Sequence, residues 1–317
     1  AAMNEDSRAT SRSKPDFEAT KAYLEAHSGI QGLKVLPPEA VDEAVTQFHR
    51  DGFVVIGQAL DAEQLEILKL GVEQAVAEIV ALDPKGKGNR GPGRYSFGGS
   101  SLSRSQLHRP AWQMLLSVEP MQRMLDAMFG CQDYRLRAAS GDFCMPMTMD
   151  YQRLHSDVRD WVDAETTPFS AFYDPSGRLS LRDLPCPYIC VNFLPQDIHA
   201  LNGPTRQIPG SQKSRAPIPR LEQEPEWMRL STVTPVPAGS MMIRDVRAWH
   251  GGTPNLSNEV RAIPNLEFYA PWFREPIVPG ISIDDFKKLP PRAQQLAELC
   301  IPASGETFIT GPTLKAP

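Results

Sequence analysis

The chain has 317 residues, 41% hydrophobic and 22% charged, which suits a soluble globular protein able to bury a sizeable core. Its formal net charge is −5 and no run of five or more basic residues occurs, so nucleic acid is not an expected partner. No apolar stretch approaches the roughly 18 residues of a membrane span, and the opening "AAMNEDSRATSRSKP" lacks the apolar centre of a secretory signal.

Residues 1–15 read as a disordered tail, with Ala1 and Ala2 taken as cloning residues ahead of Met3. Residues 16–317 read as one domain: a helical part to about 130, a β core over about 131–275, and a C-terminal helix and tail over 276–317. "DFEATKAYLEAH" and "PEAVDEAVTQFHRD" carry apolar residues at helical spacing. "GFVVIGQAL" is a short β-branched run and predicts a strand. Asp61 can cap a following helix whose Leu65, Leu68, Val72, Val76, Ile79 and Val80 form one stripe. "GKGNRGPGRYSFGGSSLSRS" predicts a flexible loop; it lacks G-x-x-x-x-G-K-[ST] and so is not read as a phosphate loop. "AWQMLLSVEPMQRMLDAMFG" predicts two short helices broken near Pro120.

From about residue 134 the pattern changes to short apolar runs, among them "YRLRAAS", "FCMPMTMDYQRLH", "PYICVNFLP", "SMMIRDVRAWH" and "VRAIPNLEFYAPW". Turn residues separate them. Most of the 30 prolines lie after residue 140, where helices would be broken but sheet edges and corners tolerate them. Many short strands at close spacing indicate a sandwich or barrel with flanking helices, not a doubly wound sheet. Five cysteines without a secretion signal indicate reduced thiols and a cytoplasmic setting. Cys186 and Cys190 lack two further zinc ligands at similar spacing and read as small buried residues entering a strand.

His155 and Asp157 stand out in "RLHSDVRDW". On an extended segment, residues two apart face the same way, so imidazole and carboxylate converge. Such a pair also arises by chance, and a hydrogen-bonded core histidine is the alternative. His250 ends another apolar run 95 residues later, followed by Gly251 and Gly252, which let the backbone turn tightly. Two histidines and one carboxylate make a facial triad with open positions, suited to non-haem Fe(II). Zinc hydrolysis with the same ligands is a competing reading, although no helical H-E-x-x-H occurs. Arg261 follows His250 by 11 residues, and its guanidinium matches a carboxylate in bidentate fashion. Its alternative is a solvated arginine at a strand end.

The segment 158–186 is long for a connection between core strands and is read as a lid, with an ordinary surface loop as the alternative. Trp161, Phe169, Phe172 and Tyr173 would supply apolar contact there, and Arg159 an anion contact. Asn192, between Val191 and Phe193, points into the barrel or is a core asparagine bonded to backbone. Gln152 falls on the strand face opposite His155 unless a bulge intervenes. Trp249 is placed at the lid or in the core.

Across most of its length the chain resembles the phytanoyl-CoA dioxygenase family of Fe(II)/2-oxoglutarate-dependent oxygenases. The likeness is carried by "FHRDGFVVIGQALDAEQLEIL", "HSD", "NGPTRQIPGSQK" and "PAGSMMIRDVRAWHGGTPNLSNEVR". It implies a double-stranded β-helix, or jelly roll. It implies Fe(II) on His155, Asp157 and His250, 2-oxoglutarate as cosubstrate with Arg261 on its far carboxylate, and O2 as oxidant. A small organic substrate would be hydroxylated with release of succinate and CO2. Asp157 occupies the position that related halogenases leave to a small residue. Gln152, Asn192 and Thr205 would stand near the cosubstrate. Two departures occur: Gln212 stands where relatives often have His, and is read as touching only the surface. Gly252 stands where they often have Ser, so Thr205 would supply that hydrogen bond. A metal-free ligand-binding jelly roll is the non-enzymatic alternative.

Overall fold

The computed structural model describes residues 16–98, 105–158, 160, 172–276, 279–304, 306 and 308. Helix α1 (Phe17–His27) starts where the Asp16 side chain accepts the Glu18 and Ala19 amides. Helix α2 (Val41–Asp51) stops at Gly52, whose φ of 83° is left-handed. Helix α3 (Ala62–Ala81) opens with a reciprocal capping box between Asp61 and Gln64, as the sequence predicts. Helices α4 (Pro110–Leu115) and α5 (Glu119–Phe129) are separate, and Pro120 sits in the first turn of α5, where no amide hydrogen is needed. Three short helices follow: α6 (Glu226–Leu230), α7 (Ile283–Lys287) and α8 (Pro291–Ala297).

Nine strands are present among the described residues: β1 (Val35–Leu36), β2 (Phe53–Ile56), β3 (Arg94–Gly98), β4 (Arg135–Cys144), β5 (Tyr188–Phe193), β6 (Arg206–Gln207), β7 (Met241–Asp245), β8 (His250–Gly251) and β9 (Arg261–Tyr269). Seven form one sheet in the order β1-β2-β7-β5-β9-β4-β3, antiparallel except for β1 with β2. Strands β6 and β8 pair in a second, smaller layer, which isolated bridges extend to His155 and Thr232. Helices dominate residues 16–130, yet that stretch also supplies β1, β2 and β3.

Strand alternation decides which side of the large sheet is greasy. Ile189, Val191 and Phe193 of β5, Met241 and Ile243 of β7, and Ala262, Leu266 and Phe268 of β9 join the main core with residues of α2 to α5. Their alternates, including Asn192, Arg244, Arg261, Asn265 and Glu267, line a cavity on the other face. In β4 a bulge between Leu136 and Ala138 shifts the parity, so Leu136, Ala139 and Phe143 all reach the core.

Two sequence readings need correction. The segment 86–105 is not all loop, because β3 pairs antiparallel with β4 from Arg94↔Cys144 to Gly98↔Ser140. "FCMPMTMDYQ" is not a continuous buried strand: β4 ends at Cys144, and Met147 is exposed with φ 58°. Pro146 has no amide hydrogen with which to continue the ladder. Pro264 does lie inside β9, opposite Gly141 (φ 149°), where a Cβ would come within 2.7 Å of its Cα.

Candidate metal and cosubstrate centre

His155 and His250 face each other across an antiparallel bridge and exchange both backbone hydrogen bonds at 3.0 Å. Directly opposed residues point to one side, and the ring centroids lie 4.3 Å apart. Two residues on, the Asp157 amide donates to the Val246 carbonyl at 2.9 Å, which holds its carboxylate beside both rings. Asp157 Oδ1 is 3.5 Å from His155 Nε2 and 3.3 Å from His250 Nε2. One donor atom from each of the three residues lies within 4.8 Å of the others.

The remaining polar atoms of these residues are occupied. His155 Nδ1 is 3.1 Å from the Arg153 carbonyl, and His250 Nδ1 is 3.0 Å from the Ala248 carbonyl. A carbonyl only accepts, so each Nδ1 carries the proton and each Nε2 presents a lone pair. Arg244 of β7 donates to Asp157 Oδ2 at 2.8 Å and to Asn192 Oδ1 at 3.1 Å, leaving Asp157 Oδ1 toward the rings. Burial, reinforced by Arg244, lowers the His250 pKa to about 4, so the ring is neutral at physiological pH. Burial opposes ionisation of Asp157, but His250 and Arg244 outweigh it and hold the carboxyl well below its usual range. Two lone-pair nitrogens and one anionic oxygen form a donor set that fits a divalent transition metal.

Arg261 opens β9, 3% exposed, and lines the same cavity, of about 510 Å³. Its Nε and Nη1 have no hydrogen-bond partner among the described residues, and burial lowers its pKa. A guanidinium stays charged in proteins, and one buried without an acceptor calls for an anion. Gly203, with φ 74°, passes close by: a Cβ there would stand 3.6 Å from Arg261 Nε.

Thr205, Gln152 and Asn192 line this cavity too. Gln152 reaches it because the chain there is not a regular strand. Its side-chain oxygen accepts the Gly252 amide at 3.0 Å and its own amide donates to the Gly252 carbonyl at 3.0 Å, which clamps the turn after His250. Trp249 is not among the cavity-lining residues and takes the core placement of the two expected for it. As the neighbour of His250 it points the other way, into a cluster with Leu154 and Ile208. Phe172 packs against the cluster containing Val158, Leu181 and Tyr188, and Tyr173 is exposed; neither lines the cavity. Arg159, Trp161 and Phe169 lie outside the described residues.

Gln212 is buried, contrary to expectation: its Nε2 donates to the His49 and Arg50 carbonyls at the end of α2. At Gly252 a Cβ would come within 2.5 Å of Arg94 Nη1. Arg94 therefore occupies the space a serine side chain would need. Sequence reasoning missed Arg94 because it lay in an assumed loop. It also missed the polar residues spaced by two in β9, Asn265 and Glu267 beyond Arg261; that alternation in an otherwise apolar run was the available signal.

A jelly roll whose inner face gathers two histidines, a carboxylate and a buried arginine defines the class of Fe(II)/2-oxoglutarate-dependent oxygenases. The family model for phytanoyl-CoA dioxygenase (PhyH) matches residues 48–263, and the chain belongs to that family. Solved structures agree in fold. The non-heme alpha ketoglutarate dependent carbocyclase SnoK from nogalamycin biosynthesis is 16% identical, with a TM-score of 0.52 over 76% of this chain and 90% of that one. EctD from S. alaskensis, with 2-oxoglutarate and 5-hydroxyectoine, is 16% identical, with a TM-score of 0.51 over 81% and 86%. HygX from Streptomyces hygroscopicus, with nickel and 2-oxoglutarate bound, is 16% identical, with a TM-score of 0.52 over 76% and 90%. Among the described residues no helix is long and apolar enough to cross a membrane.

Proposed function

We propose that the chain hydroxylates a small organic substrate, with Fe(II) held by His155, Asp157 and His250 and 2-oxoglutarate anchored by Arg261. The observation that carries this reading is the donor set: both Nε2 atoms and Asp157 Oδ1 converge on one another, while every other polar atom of the three side chains has a partner elsewhere. When bound, the iron supplies activation of O2 coupled to decarboxylation of the cosubstrate to succinate and CO2.

The protein's part is geometry and charge. The Arg153 and Ala248 carbonyls fix the tautomers, so the imidazoles need no proton loss to bind a metal. Arg244 keeps Asp157 ionised and engaged through one oxygen only. Asp157 also fills the place an anionic halide would take, which favours hydroxylation over halogenation. Arg261 offers Nε and Nη1 to the far carboxylate of the cosubstrate, with Thr205 beside it on the cavity wall.

The test is anaerobic titration of the Fe(II)-loaded protein with 2-oxoglutarate, followed by the visible metal-to-ligand charge-transfer band. The wild type is expected to develop the band to saturation, and Asp157→Ala to lose the band together with succinate release. Near-wild-type succinate release from Asp157→Ala with its iron content verified would overturn the assignment.

A further inference from the structure

The cavity wall opposite the metal ligands is made of side chains that the reaction chemistry does not use. Strand β4 contributes Ser140 and Asp142, and β9 contributes Asn265 and Glu267, with Ser140 Oγ donating to Asn265 Oδ1 at 2.7 Å. Ile263 is the one aliphatic side chain among the described lining residues. Tyr95 and Phe143, which also border the cavity, turn their rings into the main core and stack on each other. Among the described lining residues the apolar surface comes down to Ile263 and the Tyr188 ring, too little for an acyl chain or a fused aromatic system, since apolar ligands need apolar walls.

Most of the charges in the cavity are already committed. Arg94 donates to the Asp150 and Thr253 carbonyls at 2.5 and 2.7 Å. Arg244 serves Asp157 and Asn192. Arg137 pairs with both Glu267 and Glu275 and lies 4.6 Å over the Tyr188 ring. Arg90 gives its Nε to Ser96 Oγ at 3.0 Å. Asp142 differs: among the described residues no hydrogen bond or ion pair reaches its carboxylate. It stands between Ser96 on β3 and Ile263 on β9 in the sheet register, and Arg90, Arg261, His155 and Asp157 are its electrostatic neighbours. Arg90 and Arg261 act on it without forming an ion pair, so the carboxylate keeps room for a cation in contact, and a hydroxyl supplies only a hydrogen bond. Glu267 and Glu275 share Arg137, so among the described residues Asp142 is the wall carboxylate left without an ion pair.

We infer that the substrate is a small hydrophilic molecule carrying a protonated amine, and that Asp142 is the specificity residue that receives the amine. This rests on the oxygenase reading above, and its test separates the two. Protein loaded anaerobically with Fe(II) and 2-oxoglutarate is titrated with matched sets: glucosamine, N-acetylglucosamine and glucose; lysine, Nε-acetyllysine and 6-hydroxynorleucine. Binding is read by calorimetry and by perturbation of the charge-transfer band. At least one amine is expected to bind about tenfold or more tightly than its acetylated partner, as a charge-assisted contact predicts. Asp142→Asn should bring the two within about twofold, Asp142→Glu should retain the preference, and neither variant should weaken the 2-oxoglutarate midpoint. Equal binding of amine and acetamide, a preference that survives in Asp142→Asn, or no amine binding at millimolar concentration would each overturn the inference. Absence of the band before any amine is added would instead overturn the cosubstrate reading.

Discussion

At the level of single residues, the donor set depends on partners that stand far away in sequence. His155 and Asp157 are legible because spacing by two puts both on one side of an extended chain. Arg244 is not legible as their support, because its bonds to Asp157 Oδ2 and Asn192 cross between separate segments. Arg244→Met should therefore leave the fold intact and weaken metal binding about 10- to 100-fold, the usual effect of losing a partner of a metal ligand. Competition of the protein against a chromophoric chelator measures this; unchanged affinity would assign Arg244 to packing alone. Arg261→Lys keeps the charge and loses the fork. Hydrogen bonds to charged groups contribute roughly 1.5–3 kcal/mol, so the 2-oxoglutarate midpoint should rise about ten- to a hundredfold while iron affinity stays put. Equal midpoints for mutant and wild type would remove Arg261 from the site. A pH effect follows from His250. Its folded pKa of about 4 lies below its ordinary 6.5, so the unfolded chain takes up the proton first as pH falls. Metal-free protein should lose stability as pH drops from about 6.5 toward 4, and His250→Gln should flatten that part of the melting-temperature profile.

At the level of elements, strand alternation decides what the site is made of. β9 is legible as a strand from the apolar run "VRAIPNLEFYAPW", whereas the strict parity of Arg261, Ile263, Asn265 and Glu267 along it is the part that sequence reasoning missed. β3 was hidden by the glycines and serines around it, and the end of β4 was misread because apolar residues continue past Pro146 into irregular chain. The short strand β6 lies inside "NGPTRQIPGSQK", yet it carries the buried scaffold of the site. Arg206 donates to Glu224 at 2.6 and 3.0 Å, both side chains fully buried, and its Nη2 also holds the Gln152 carbonyl at 2.6 Å. Removing one partner of such a pair strands the other's charge, at a cost of about 3–5 kcal/mol. Glu224→Ala should lower the denaturant midpoint accordingly, and because Arg206 anchors the chain just before His155, metal affinity should fall with it. A stability loss under about 1 kcal/mol would mean that water satisfies Arg206 in the variant.

On the scale of the whole molecule, core and site lie on opposite faces of the large sheet. The main core is sealed between the outer face and helices α2 to α5. The cavity lies on the inner face, closed by the small layer that carries His155 and His250. The number and spacing of strands made a barrel or sandwich legible. The place of β1 and β3 at the two edges of the sheet, and of β2 between β1 and β7, was not, because long-range pairing leaves no local pattern in the chain. This separation predicts how the protein responds to a chelator. The metal would join segments already paired through backbone hydrogen bonds, His155 with His250 and β6 with β8. Binding to the folded state alone stabilises it by about 2.7 kcal/mol at a hundredfold excess over the dissociation constant. For a chain of this size that amounts to a melting shift of several degrees, not a loss of fold. Thermal melts with excess Fe(II) under anaerobic conditions, and then with a chelator, should differ by such a shift, with both transitions cooperative and the far-ultraviolet spectra superimposable at room temperature. Unfolding on chelation at room temperature would show instead that the three ligands hold the two layers together, and that the site is structural before it is catalytic.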